Sequence, residues 1–256
     1  MSFTLPWAIG IPLFVLLGLT MGSFATVLLE RLPKNASIGG RSQCPHCHGT
    51  LRIFDLVPIF SYLWLLGKCR TCSARISPRY PLTELASAII FTGAFLWTDG
   101  TLFAALGLAI SAWALFVIVL FDAYTQLIPD ALTLVAALGA ATYRLQTTEW
   151  TLLLSAALVG LCVIGAQWLL SRGRWVGSGD VLLAGAIGLL MGSWEQMLVA
   201  LFIAYILGGI VAAILLLKFG TKARGMKISF GPFLVMGGMV SFFFAEYFLQ
   251  FFPPLV

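Results

Sequence analysis

The sequence predicts an all-α integral membrane protein: about eight transmembrane helices, with a small zinc-stapled cytoplasmic domain between the first and second spans. Three observations predict it. Of the 256 residues, 60% are hydrophobic and only 10% charged, with a mean hydropathy of +1.00, a composition that a water-soluble globular domain does not carry. Long apolar runs recur as far as the C-terminal end, so the first is read as a span and not as a removable signal peptide. Strict apolar–polar alternation is missing, which argues for helices over a barrel.

Eight apolar runs are candidate spans: residues 7–29, 82–97, 101–121, 129–143, 150–170, 181–191, 197–217 and 230–251. The fourth and sixth fall short of the roughly 20 residues of a full crossing, which places them among other helices. With eight spans, all but Arg144 of the 15 Lys and Arg residues fall on one side. Arg31, Lys34, Arg41, Arg52, Lys68, Arg70, Arg75 and Arg79 lie between the first and second spans. Arg172 and Arg174 follow the fifth, and Lys218, Lys222, Arg224 and Lys227 follow the seventh. Lys/Arg bias marks the cytoplasmic face, so both termini are expected on the periplasmic side. The net charge of +5 then reflects loops facing anionic lipid head groups in the bilayer. No basic patch interleaved with aromatics argues for nucleic acid.

The chain is therefore expected to comprise a first transmembrane helix (1–29), a polar cytoplasmic domain (30–80) and a seven-helix membrane domain (81–256). The polar domain carries four of the five cysteines, as Cys44-Pro45-His46-Cys47 and Cys69-Arg70-Thr71-Cys72. Two such knuckles offer four thiolates, which suits tetrahedral Zn²⁺ with Zn–S bonds of about 2.3 Å. Cytoplasmic thiols stay reduced, which favours a metal over disulfides. A redox dithiol pair or an iron site is the competing reading, and His46 and His48 are spare ligands. Residues 53–66, between the knuckles, are apolar but interrupted by Asp55 and Pro58. That stretch is too broken for a span, and a hairpin or helix on the membrane surface is expected. The metal would staple a domain whose own core is thin. Cys162, in mid-span, reads as a small buried hydrophobe.

Chemistry is expected at two carboxylates. Asp122 ends the third apolar run, and Asp180 closes Gly177-Ser178-Gly179-Asp180 just before the sixth; both fall at cytoplasmic helix ends. An ionisable group at a membrane edge is costly to desolvate and points to function. Paired carboxyls hydrolyse an amide when one, ionised, takes a proton from water and the other, protonated, gives one to the carbonyl oxygen or the leaving nitrogen. Two neighbouring carboxyls in low dielectric share one proton because both cannot ionise together. Gly177 and Gly179 are expected to let an extended substrate backbone approach Asp180, and to permit a bend where the helix starts. Asp180 is equally placed to stabilise a helix N-terminus, by roughly 0.3–1 kcal/mol. Asp130 rivals Asp122 as its partner, but it follows Ile128-Pro129, an ordinary helix start. Glu84, near the start of its span, either acts similarly or contacts a ligand. Two readings come from other classes: a transporter or channel whose edge carboxylates relay protons or cations, and a non-catalytic assembly factor that docks through the cysteine domain.

Together these residues resemble the prepilin leader peptidases, the membrane aspartyl proteases that serve type IV pili and type II secretion. Gly22-Ser23-Phe24 followed by Arg31-Leu32-Pro33 is similar to the family's opening. The paired knuckles, then Arg79-Tyr80-Pro81-Leu82 with Glu84, resemble its cytoplasmic domain. Asp122 through Ile128-Pro129-Asp130, Gly177-Ser178-Gly179-Asp180 and Phe230-Gly231-Pro232 complete a match that runs nearly end to end. The resemblance implies a catalytic pair at Asp122 and Asp180, with Asp130, Gly177 and Gly179 in support. It also implies a prepilin or pseudopilin substrate whose short basic leader is cut, typically after glycine, at the cytoplasmic face of the bacterial inner membrane. N-methylation of the new N-terminus by S-adenosylmethionine is implied as a second activity of the cytoplasmic domain, with Gly67, Lys68 and Glu84 as its candidates. One position departs from the pattern: Thr26 stands where the family opening usually has Asn.

Overall fold

The computed structural model describes residues 3–220 and 228–250, and among these the regular elements are helices, with no strand beyond isolated bridges. The chain forms two compact units, Met1–Ala109 and Ile110–Val256.

In the first unit α1 (Trp7–Arg31) packs along α3 (Arg79–Trp97). Gly18 and Gly22 allow it. A β-carbon at Gly18 would lie 2.5 Å from the Ala88 Cα, and one at Gly22 would strike the Glu84 backbone. Small residues one turn apart let two backbones touch, which is how helices associate where lipid removes the hydrophobic drive. Phe14 and Phe95 fill the seam, fully buried, with ring centroids 4.8 Å apart. Between these helices the chain makes 3-10 turns at Leu32–Lys34 and Ile53–Leu56 and the short α2 (Phe60–Trp64). Residues 53–66 thus form a turn and a short helix, and Ile53, Phe54, Phe60 and Trp64 leave their side chains exposed.

α4 (Leu102–Thr125) contains the boundary between the units. The second unit continues with α5 (Asp130–Arg144), α6 (Trp150–Ser171), α7 (Ser178–Met191), α8 (Trp194–Phe219) and α9 (Gly231–Leu249). α7 is its centre, packed on α5, α6, α8 and α9, with most of its side chains buried. Gly188 supports this, because a β-carbon there would lie 2.5 Å from the Ala156 carbonyl oxygen of α6.

Among the described residues five helices, α1, α4, α6, α8 and α9, are long and apolar enough to cross a membrane. The other three expected spans correspond to α3, α5 and α7. With 15 and 14 residues, α5 and α7 are about 20 Å long at ~1.5 Å per residue, short of a hydrocarbon core of roughly 30 Å. Enclosure by its neighbours spares α7 a full crossing of its own. Large apolar side chains such as Leu170, Phe202 and Met239 face outward, as lipid-facing positions do. Cys162 corrects the expectation of burial, since it is exposed on α6. That helix is apolar on every side, so its sequence carries no signal of which face turns inward.

Arg144, the lone basic residue on the expected opposite side, is tucked against the end of α7. Its Nε donates to the Leu190 carbonyl at 2.6 Å, and its guanidinium lies 5.2 and 5.4 Å from the ring centres of Tyr143 and Phe242. It satisfies a helix-terminal carbonyl and meets the negative end of the α7 dipole. Lys222, Arg224 and Lys227 of the last basic loop, and position 251 of the last expected span, lie outside the described residues.

Candidate active site and metal centre

Asp122 lies in the last turn of α4 and is 2% exposed. The Thr125 hydroxyl caps that turn on the Phe121 carbonyl at 2.8 Å, and Gln126 takes a left-handed conformation (φ 55°) that turns the chain out of the helix. Two groups from the start of α9 donate to Asp122: the Ser229 hydroxyl, to Oδ2, and the Gly231 backbone N–H. Asp180 lies in the first turn of α7 and is 7% exposed. Its Oδ2 accepts the Gly177 N–H at 2.9 Å, and its Oδ1 is buried without a hydrogen-bond partner among the described residues. The charge of Asp122 acts on Asp180, so the two carboxyls are within electrostatic reach of each other. Asp130 is exposed and opens α5 behind Pro129.

Ile128 shows how three chain segments converge here. A β-carbon on Gly179 would sit 2.9 Å from the Ile128 Cβ. One on Gly231 would sit 3.2 Å from the Ile128 Cδ1 and 2.5 Å from the Asp122 Oδ2. Ile128 is therefore wedged between the start of α7 and the start of α9. Neither Gly177 nor Gly179 has positive φ, so no left-handed bend operates in this motif. The requirement at Gly179 is room for Ile128, and at Gly231 room for a carboxylate.

Sequence reasoning did not find Ser229, Gln167 or Tyr205. Gln167 of α6 donates to the Tyr205 hydroxyl on α8, whose ring lies 5.2 Å from that of Phe230. Tyr205 in turn feels the charge of Asp180. Only the adjacency of Ser229 to Phe230-Gly231-Pro232 could have singled it out; the other two are ordinary residues of apolar helices.

The first unit gathers the four knuckle cysteines. The Cys44 and Cys72 sulfurs are 3.8 Å apart, and all four Sγ atoms lie within 4.8 Å of one another. A tetrahedral site with bonds of about 2.3 Å has sulfur–sulfur edges of roughly 3.8 Å, a spacing the Cys44–Cys72 pair meets, so the four sulfurs are close enough to hold a metal ion. His46 and His48 are exposed and stand outside it. The two knuckles repeat one another. Cys44 N–H bonds to the Gly49 carbonyl and His48 N–H to that of Cys44; Cys69 N–H bonds to Ala74 and Ser73 N–H to Cys69. His48 and Ser73 both have positive φ, at 54° and 58°. In the second knuckle, backbone N–H groups of Cys72 and Thr71 lower the Cys69 thiol, while, against the Ala74 N–H, burial and the neighbouring sulfurs raise that of Cys72, so the metal-free knuckle favours a thiolate at Cys69 over Cys72. Arg70 of this knuckle reaches Asp55 at 2.7 Å, and Asp55 also accepts the Arg52 N–H. Burial opposes the Asp55 charge, but these donors outweigh it and hold the carboxyl below the usual range.

Beside the cage is a cavity of about 290 Å³, bordered by Ser23, Thr26 and Glu30 of α1, Tyr62 of α2, and Tyr80 and Glu84 of α3. Glu84 is buried and accepts the Ile59 N–H at 2.7 Å. Ile59 has φ 61°, a strained value for a β-branched residue, of the kind that collects at functional sites. Glu30 accepts the Tyr80 hydroxyl. The Thr26 hydroxyl is turned back to the Ser23 carbonyl at 2.7 Å. Gly67 (φ 67°) lies behind Tyr62, where a β-carbon would be 3.0 Å from the ring, and Lys68 is exposed; neither borders the cavity.

Comparison with known proteins covers both units of the chain. Residues 16–98 match the Bacterial Peptidase A24 N-terminal domain, and residues 109–213 match the Type IV leader peptidase family. The chain is 32% identical to a prepilin leader peptidase/N-methyltransferase of Burkholderia pseudomallei, over 94% of its own length and 87% of the relative's. It is 33% identical to the protein of that name from Dickeya chrysanthemi, over 88% of this chain and 89% of the relative. A type 4 prepilin-like proteins leader peptide-processing enzyme of Escherichia coli is 34% identical, over 88% and 91%. No solved structure matches. The chain belongs to the type IV leader peptidase family.

Proposed function

We infer that this protein is a multi-pass membrane endopeptidase of the bacterial inner membrane that removes the leader of type IV prepilins or type II secretion pseudopilins and N-methylates the new N-terminus. The observation that carries the peptidase assignment is the burial of two carboxyls, Asp122 and Asp180, brought within reach of each other from separate helices around Ile128. In this reading they are the catalytic pair. One carboxylate takes a proton from water, whose oxygen bonds to the scissile carbonyl carbon. The other carboxyl passes its proton to the departing nitrogen as the C–N bond breaks. Asp130 is a supporting residue at the start of α5. The transporter reading lacks support, because the relatives are named as peptidases.

Three further assignments belong to the proposal. The cysteine cage holds Zn²⁺, on the strength of four sulfurs within 4.8 Å of one another. The cavity beside it holds S-adenosylmethionine, whose sulfonium supplies an electrophilic methyl group when bound. Glu30 and Glu84 would face the cationic ligand and Tyr62 and Tyr80 would border it, in a volume that accommodates a nucleoside with an amino-acid tail. The Lys/Arg distribution supports a cytoplasmic location for both sites and a periplasmic one for both termini.

Mass spectrometry of a purified prepilin incubated with the enzyme and S-adenosylmethionine tests the whole reading. Leader loss and methyl addition give separate mass changes, and both are expected. A prepilin recovered at full length would refute the peptidase assignment.

A further inference from the structure

The two carboxyls differ in what surrounds them. Asp122 accepts two donors, the Ser229 hydroxyl and the Gly231 N–H. Asp180 accepts the Gly177 N–H, and its Oδ1 is buried with no hydrogen-bond partner among the described residues. Hydrogen bonds donated to a carboxylate favour its charged form, and a buried oxygen lacking a donor makes charge costly. Asp180 sits at the N-terminus of α7, whereas Asp122 lies between the last turn of α4 and the N-terminus of α9, where the two dipoles oppose each other, so the dipoles alone do not favour charge on Asp122. What favours charge on Asp122 is the Ser229 hydroxyl. Besides each other, the pair has Tyr205 of α8 within electrostatic reach, a group uncharged at neutral pH.

Ser229 is fixed where it can act. It precedes Phe230 and Gly231, the first turn of α9, and the Phe230 ring is anchored on Tyr205. The absence of a β-carbon at Gly231 brings this backbone onto the Asp122 carboxylate.

We propose that Ser229 is a positioning residue that divides labour within the pair. It holds Asp122 as the carboxylate and leaves the shared proton on Asp180. Asp122 is then the base that takes the proton of the attacking water, and Asp180 is the acid that protonates the leaving nitrogen as the peptide C–N bond breaks. This rests on the assignment of Asp122 and Asp180 as the catalytic pair.

The test is the pH profile of kcat/KM for leader cleavage, measured on full-length enzyme carrying Ser229→Ala, Ser229→Thr or Asp122→Asn. The acid limb reports ionisation of the base in the free enzyme. Loss of the donor should move that limb to higher pH by about one unit, a roughly tenfold loss of kcat/KM on the acid side. Ser229→Thr, which keeps the hydroxyl, should restore the wild-type limb. A Ser229→Ala enzyme with an unmoved acid limb overturns the proposal whatever its overall rate, because a residue that only packs lowers the whole curve. Should Ser229→Ala fail to fold, Ser229→Cys, close in volume and a weak donor, supplies the same comparison. Asp122→Asn separates the two levels of inference. Its inactivity at every pH leaves only the Ser229 role at stake, whereas an active Asp122→Asn removes the catalytic pair itself.

Discussion

The two units hold their polar groups in opposite ways. In the first, four sulfurs come from one short stretch in which Cys44 and Cys72 are 28 residues apart, and two near-identical knuckles close the cage. In the second, Asp122 and the Ser229 that touches it are 107 residues apart, and three helix ends must meet before the site exists. The first arrangement is local, and a ligand can stabilise it. The second depends on global packing, with backbone N–H groups and one hydroxyl donating to it among the described residues. Damage should therefore read out differently: as lost stability in the first unit, and as lost chemistry with an intact fold in the second.

Replacing either carboxyl sharpens that contrast most. Asp122→Asn and Asp180→Asn should each lower leader cleavage by roughly 10²–10⁴-fold while the protein keeps its thermal transition in detergent. Asp130→Asn, at an exposed helix start, should retain measurable turnover. Gly231→Ala comes next. The added methyl would meet the Asp122 Oδ2 and the Ile128 side chain, so the carboxylate must shift, at a cost of about 10² in kcat/KM.

The metal is where the first unit should break. We expect about one zinc per chain by elemental analysis, in line with one Cys₄ cage. Chelation or Cys44→Ser should speed proteolysis between residues 35 and 77, because the staple contributes on the order of several kcal/mol to a segment with little core of its own. A metal-free protein with intact thiols and unchanged proteolysis would count against the cage.

The smallest effect belongs to Asp55→Asn. It removes one well-made ion pair whose arginine is 44% exposed, so about 1 kcal/mol of local stability is expected to go. The Asp55 carboxyl is held below its ordinary value, so its contribution is present above about pH 4 and is lost as pH falls through the lowered range. Thermal shift at neutral and at acidic pH reads both.

The same contrast explains what could be read from sequence. The cysteine cage was legible because its ligand spacing is local and each knuckle is its own motif. Helix positions were legible for a similar reason, since apolar runs mark them directly. The choice of Asp122 over Asp130 followed from Ile128-Pro129, which does start a helix at Asp130. Ser229, Tyr205 and Gln167 were not legible. Their meaning arises only when α6, α8 and the start of α9 are folded around α7. Gly177 and Gly179 were noticed for a plausible but incomplete reason. Room for a substrate backbone and a bend at the helix start were expected, whereas Gly179 also makes room for an isoleucine side chain that no spacing rule connects to it. Cys162 was misplaced because a uniformly apolar helix does not say which side faces its neighbours.

The central claim is that Asp122 and Asp180, contributed by different helices, act as one unit. The most direct measurement is single-turnover cleavage of a purified prepilin by Asp122→Asn, Asp180→Asn and the double variant. Residues that work as a unit lose function together, so the double variant should be no slower than either single one. Losses that multiply, or a single variant that cleaves at the wild-type rate, would contradict the account.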